Sequence, residues 1–174
     1  QKFAEITDKA ERINVGTHEL GSHLDYNAMI NNMVYTESAR QEIKITFPEG
    51  YNCAQAVACA YCDLAGTDIK TALCAMEGFG AGMGGLQATC GAVSGAIFLA
   101  GMKNADGVVE APRSKGKTYQ LSKAIVDAFL AKNGTIVCKE LKERNPETGE
   151  QRRSCADCIM DAAAIAEEIL FSEK

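Results

Sequence analysis

From Gly50 onward, apolar residues recur at helical spacing and cap residues mark where each run begins. Asn52, followed three residues later by Gln55, is a capping-box pattern. It predicts a helix running to Leu64 and closed by Gly66. Thr67 is expected to cap the next helix, with Asp68 in its first turn and Gly78 closing it. Gly78-Phe79-Gly80-Ala81-Gly82-Met83-Gly84-Gly85 reads as a tight glycine loop. Thr89 is the expected cap of a helix over Cys90 to Met102. A longer helix, about Lys117 to Lys132, carries an apolar stripe of Leu121, Ala124, Ile125, Ala128 and Phe129 and ends at Asn133-Gly134. Thr135 is expected to cap a short helix that stops near Arg144, and a loop from Asn145 to Arg153 follows. Ser154 then caps the last helix, with Asp157 at the capping-box position and Ile159, Ala162, Ala166, Ile169 and Leu170 on its buried face.

Phe47-Pro48-Glu49-Gly50 interrupts the pattern with two breakers. Residues 1–46 read as an N-terminal helical extension, and residues 47–174 as a four-cysteine helical redox domain. The extension holds two predicted helices, about Phe3 to Ile13 and Tyr26 to Ile45, the second with Met29, Ile30, Met33, Val34 and Ile43 on one side. Their connecting loop carries both histidines, His18 and His23. Five positions apart and with no partner ligand in view, these read as surface or hydrogen-bonded residues. Nothing shows a sustained period of two, so almost no strand is expected. The fold class is all-α, a compact multi-helix bundle with a glycine-rich loop and the N-terminal helical extension.

Composition narrows the function. The 174 residues are 47% hydrophobic and 24% charged, ordinary values for a globular domain with a real core. A net charge of −5 with no basic stripe argues against nucleic acid or an anionic membrane as partner. The most basic stretch, Lys139 to Arg153, is interleaved with Glu140, Glu143, Glu147 and Glu150 and reads as a solvated helix end and loop. Gly78 to Met102 is uncharged, but its helical part is too short for the ~20 residues that span a bilayer, so a buried core helix is expected. No signal or transit peptide pattern is visible. A cytoplasmic location is expected, with export after removal of a signal as the alternative, since the chain starts at Gln1.

Eight cysteines are the unusual number. Their density is below that of a short disulfide scaffold, and a core of this size needs no staples. Placed on the predicted helices, Cys53, Cys90 and Cys155 each follow a cap directly, and Cys138 stands third after Thr135. Four cysteines thus fall in the first turns of four helices. A helix N-terminus offers unpaired N–H groups and about half a positive charge. Both favour a thiolate, and both suit an anionic metal–sulfur cluster. If the four ends converge, the fold supplies four thiolates at one metal centre. Cys59, Cys62 and Cys74 lie inside helices and read as small core hydrophobes. Cys62 stands nearly opposite Cys53 on their shared helix. Cys158, three residues after Cys155 on nearly the same face, is a candidate spare or substitute ligand. Neither Cys-x-x-Cys pair, Cys59/Cys62 or Cys155/Cys158, is followed by His, which excludes c-type haem by pattern.

The glycines shape the neighbourhood. Gly82 and Gly84 of the loop and Gly91 of the following helix are expected to lie against a bound group, because a backbone without Cβ atoms can approach it closely. Gly80-Ala-Gly82-Met-Gly-Gly85 matches a dinucleotide fingerprint only in letters, for a helix and not a strand precedes it. Gly91 and Gly95 with Ala92, Ala96 and Ala100 form a smooth helix face, fit for another backbone or for a cofactor.

At Cys90-Gly91-Ala92-Val93-Ser94-Gly95 the chain resembles the C-GCAxxG-C-C family of redox-active proteins. Gly50-Tyr51-Asn52-Cys53-Ala54-Gln55-Ala56-Val57, the loop Gly78 to Gly84, Cys138 in Cys-Lys-Glu-Leu and Cys155 ahead of Met160-Asp161-Ala162-Ala163 carry the rest of the likeness, over roughly residues 36 to 172. The resemblance implies an all-helical domain with a redox role. The cysteine pattern is also similar to that of the iron–sulfur domain of split-Soret cytochromes, which implies an iron–sulfur cluster, two-iron first and four-iron as the alternative. The haem motif of those cytochromes is absent here. The extension and Cys59, Cys62, Cys74 and Cys158 depart from the basic pattern.

Three functions follow, in order of expectation. The first is electron transfer or redox sensing through an iron–sulfur cluster on Cys53, Cys90, Cys138 and Cys155, with a redox partner protein whose identity the sequence does not carry. The second is a metal-free thiol–disulfide or sulfur-handling enzyme. The third is a structural zinc module. The smooth glycine and alanine faces also make a homodimer an expectation. No general base, nucleophilic serine set or carboxylate pair stands out to name a substrate.

Overall fold

The computed structural model describes residues 50–172. The two predicted N-terminal helices, His18, His23, the Met29/Met33 face and the boundary near residue 46 lie outside the described residues. Six helices follow one another: α1 Cys53–Ala60, α2 Ile69–Met76, α3 Gly91–Asn104, α4 Lys115–Asn133, α5 Cys138–Leu141 and α6 Cys155–Ala166. A 3-10 turn, Glu77–Phe79, continues α2, and a π-helical turn, Glu167–Phe171, extends α6. Between α2 and α3 the segment Gly80–Met83 coils back on itself, with Ala81, Gly82, Met83, Gly84 and Gly85 all at positive φ. The described residues contain no strand, only isolated bridges between Thr89 and Val137 and between Arg144 and Gln151. The all-α expectation holds. Among the described residues no helix is long and apolar enough to cross a membrane.

Helix α3 is the axis of the bundle and packs against α1, α4 and α6. Its Ala92, Val93, Ala96, Leu99 and Ala100 are fully buried against Ala54, Val57, Ile125, Phe129, Ile159 and Ala162. Small residues on α1, α3 and α6 let these backbones approach closely. The larger Leu99, Ile125, Phe129 and Tyr61 fill the space between them, at roughly 1.5–3 kcal/mol of transfer free energy for each aliphatic or phenyl side chain. The smooth face of α3 is therefore occupied by protein. A Cβ on Gly95 would stand 2.5 Å from Ala54 O and 3.1 Å from Val57 Cβ, so α1 lies directly on it. At the far end Tyr61 is fully buried, stacks on Phe171 at 5.5 Å and donates its hydroxyl to Glu167 Oε2 at 2.5 Å.

Two caps are as predicted. The Asn52 side chain accepts from the Ala54 and Gln55 amides, and Gln55 Oε1 accepts from the Asn52 amide. Ser154 and Asp157 form the same box at α6. Three others move. Asp68, not Thr67, caps α2, because its carboxylate reaches the Thr71 amide. Cys90 itself, not Thr89, is the N-cap of α3, and Val137, not Thr135, is that of α5. Thr89 and Val137 instead pair edge to edge, with Cys90 N donating to Ile136 O at 2.7 Å and Cys138 N to Ala88 O at 2.6 Å. The Thr135-Ile136-Val137 run is β-branched, which suits this extended pairing. The ends also differ: α1 stops at Ala60 before a turn that closes at Gly66, and α5 is a single turn that stops at Leu141, short of Arg144. Cys59 and Cys62 are buried as expected, whereas Cys74 is exposed on the outer face of α2 and is no core residue.

Candidate functional site

The same local chemistry that starts the helices carries cysteines to one place. Asn52, which caps α1, also donates through Nδ2 to Glu77 O at 2.9 Å and Met76 O at 3.3 Å. Gln55 Nε2 donates to Leu73 O. These bonds tie the first turn of α1, and with it Cys53, to the end of α2. The paired segments around Thr89 and Val137 bring the starts of α3 and α5 side by side, and with them Cys90 and Cys138. The Ser154 box sets Cys155 at the start of α6.

Cys53, Cys90, Cys138, Cys155 and Cys158 line one small cavity, together with Leu141, Lys142 and Arg153. Cys53, Cys90, Cys138 and Cys158 are buried, and Cys155 is partly exposed at the opening. The structure thus brings the four predicted cysteines together and adds Cys158, while Cys59, Cys62 and Cys74 stay away. The thiols line the wall without closing into a coordination shell: among the described residues no group of three or more His, Cys, Asp or Glu side chains stands ready to hold a metal ion.

Two of the three predicted glycines touch the site. A Cβ on Gly91 would overlap Cys53 Sγ and sit 2.8 Å from Phe79 O. One on Gly82, at φ +70°, would sit 2.7 Å from Cys138 Cβ. Gly84 is different: its nearest neighbour is Gly78 O at 3.5 Å, and what it supplies is the φ of +65° that closes the turn. The loop also contributes a donor, because the Ala81 amide hydrogen-bonds the Cys53 sulfur.

The electrostatics depart from the expectation that every helix start favours a thiolate. Burial pushes Cys53 up, against the Ala81 amide, and the neighbouring sulfurs raise it further. Burial also raises Cys138, opposed by Lys142. Helix α5 is one turn long, so little macrodipole stands behind Cys138. Cys90 goes the other way. A hydrogen bond from the Cys158 thiol, with the Ala92 and Val93 amides and Lys142 adding to it, outweighs burial and holds Cys90 down to about 6. Cys158, as the donor of that bond and buried as well, is pushed strongly up.

Lys142 and Arg153 were not foreseen as site residues, since the Lys139 to Arg153 stretch reads as solvated. The structure turns both toward the sulfurs. Lys142 lies one turn after Cys138 and hydrogen-bonds Cys155 and Cys138; burial draws its pKa down, but the charges on Cys155, Cys138 and Cys53 prevail and raise it. Its i+4 spacing from Cys138 was the signal available in the sequence. Arg153 is held through its Nη2 by the buried Asp161 carboxylate of α6, and Lys132 reaches the same carboxylate at 2.6 Å. Arg153 Nε, also buried, has no hydrogen-bond partner. Replacing Asp161 by Asn should cost about 1–3 kcal/mol in urea unfolding, because two cations lose their shared anion while half-exposed Lys132 regains water. Unfolding within about 0.5 kcal/mol of wild type would show that the carboxylate does not anchor Arg153.

No curated protein and no solved structure matches the chain. Residues 51–169, about two-thirds of its length and all five cavity cysteines, match the family described as "Putative redox-active protein (C_GCAxxG_C_C)". The chain belongs to the C_GCAxxG_C_C family.

Proposed function

We propose that this chain is a redox and electron-transfer protein that holds an iron–sulfur cluster on Cys53, Cys90, Cys138 and Cys155, two-iron first and four-iron as the alternative. The carrying observation is that these thiols, from four separate segments, line one cavity into which Lys142 also reaches. An all-sulfur donor set suits iron–sulfur chemistry. The buried, unpaired Nε of Arg153 offers an N–H to an anionic group, and the Gly82 and Gly91 backbones leave room that a Cβ would take. When bound, such a cluster supplies one-electron transfer.

The chain's own residues have distinct roles in this reading. Lys142 and Arg153 offset thiolate charge that burial disfavours. The Ala81 amide steadies the Cys53 sulfur. Leu141 and the bundle core keep water off the inner wall. Cys155, at the opening, is the side from which a partner protein would exchange electrons.

The test is iron and acid-labile sulfide analysis of protein purified without air, alongside its absorption and paramagnetic-resonance spectra. Roughly two irons and two sulfides per chain, or four of each, with visible bands that bleach on reduction, is the expected result. Wild-type protein free of iron overturns the reading, and one zinc with no sulfide would replace it with a structural site. The second reading, metal-free thiol–disulfide chemistry, is favoured by one observation: Cys90 and Cys158, both buried, line the same small cavity as three further thiols. A disulfide that cycles under mild reductant in protein carrying no metal would favour it.

A further inference from the structure

Asp161, on α6, does not line the cavity, and its carboxylate is only 7% exposed. Its Oδ1 takes Lys132 at 2.6 Å, and its Oδ2 takes Arg153 Nη2. Of these two cations only Arg153 lines the cavity. Arg153 is held at both ends, for its amide also donates to Leu141 O at 2.9 Å, and Leu141 is itself a lining residue. A guanidinium is a rigid planar fork, so fixing Nη2 also fixes where the Nε–H points. That Nε is buried and has no hydrogen-bond partner among the described residues. A buried donor left unpaired costs about 1–3 kcal/mol. The Arg153 side chain is 32% exposed, so its Nε could turn to water if the bond to Asp161 let go.

We infer that Asp161 is a positioning residue of the sulfur site: it holds Arg153 with its charge and its Nε–H toward the thiols, and so makes a bound cluster easier to reduce. The redox half rests on the iron–sulfur reading, whereas the placing of the cation does not. Reduction adds one negative charge, which a nearby cation and an N–H donor stabilise. Asp161 could act in two opposite ways, and their signs differ. As a bare anion it would disfavour reduction, so its removal would raise the midpoint potential. As the holder of Arg153 it favours reduction, so its removal lowers the midpoint. The geometry points to the second, because Arg153 lines the cavity while Asp161 stands outside it with its charge already met by two cations.

The test measures reduction midpoints of cluster-loaded full-length protein by potentiometric titration without air. In Asp161→Ala the midpoint should fall by at least a tenfold change in the reduction constant, about 59 mV for one electron. R153Q should fall at least as far, and D161A should add nothing to R153Q. K132A should stay near wild type. R153K keeps the charge, but one ammonium cannot serve the carboxylate and the centre together, so its midpoint should fall although Asp161 is intact. R153K carries the test if D161A does not fold. A midpoint in D161A that is unchanged or higher, a wild-type midpoint in R153Q or R153K, or a fall in K132A as large as in D161A overturns the inference. The second readout needs no metal. In reduced, metal-free protein the partly exposed Cys155 is alkylated with iodoacetate or iodoacetamide, and the adduct is located by tandem mass spectrometry. The ratio of the two rates cancels the reactivity of the thiol and reports positive charge beside it. At low salt that ratio should fall about two- to threefold in D161A and in R153Q. An unchanged or higher ratio in D161A overturns the positioning role. A fall in both variants, in protein that never takes up iron, removes the cluster reading alone and leaves the hold of Asp161 on Arg153 standing.

Discussion

Cys90→Ala should lower iron and sulfide content at least tenfold against wild type purified the same way, while Cys59→Ala leaves both unchanged. Cys90 lines the cavity with the other three proposed ligands, whereas Cys59 is as deeply buried but lies outside it. The pair therefore separates loss of a ligand from loss of a small core side chain. Truncating either thiol should cost the metal-free fold only about 1 kcal/mol, an ordinary figure for a point substitution. Ligand binding to the native state adds to folding free energy, so loaded wild type should also melt well above loaded-then-chelated protein, by roughly 5 °C or more. Full loading of the Cys90 variant, or equal loss in the Cys59 variant, would sink the proposed ligand set. Unchanged thermal unfolding after complete removal of the cluster would contradict the stability link.

Gly91→Ala and Gly95→Ala should each lower stability by about 2 kcal/mol, although alanine is the better helix former by about 1 kcal/mol. Both stand inside α3, where propensity alone predicts a gain. At Gly95 the added Cβ meets Ala54 O at 2.5 Å, and at Gly91 it meets Phe79 O at 2.8 Å and overlaps Cys53 Sγ. Backbone oxygens cannot rotate aside, so α1 must shift away from α3. A midpoint decrease of roughly 4–8 °C is expected from a change of that size. Gly101→Ala is the matched control. It lies in the same helix with nothing within 4 Å of its Cβ position, and it should be stabilised by about 0.5–1 kcal/mol. The sign reversal along one helix is the readout. Stabilisation of Gly91→Ala would mean that α1 and α3 do not approach as closely as the structure has them.

The sequence by itself determined the helical class, the boxes at Asn52 and Ser154, the helix that ends at Gly134 and the glycine coil before α3. Those features rest on interactions within four or five residues, and such interactions are complete in the local text. It also singled out Cys53, Cys90, Cys138 and Cys155, because each stands at or beside a helix start even where the cap lies one or two residues from the expected one. The misplaced caps at Thr89 and Thr135 have a common cause, whereas at Thr67 the neighbouring Asp68 simply reaches the Thr71 amide itself. Several residues near a helix start can cap, and contacts from elsewhere select among them. At Thr89 and Thr135 the selecting contact is the pairing of residues 87–90 with 136–139, about 50 positions apart. That same long-range pairing, invisible to periodicity, sets Cys90 beside Cys138.

Only the tertiary structure decided the electrostatic character of the site. Lys142 and Arg153 sit in a stretch of mixed charge that any pattern assigns to solvent, and they face the cavity because the buried Asp161 and the neighbouring sulfurs draw them there. Cys158 joined the cavity because α6 packs against α3 with that residue turned inward, while Cys74 was left outside because α2 shows that side to water. Burial and charge are sums over neighbours distant in the chain, whereas a cap or a glycine turn is settled among residues adjacent in it.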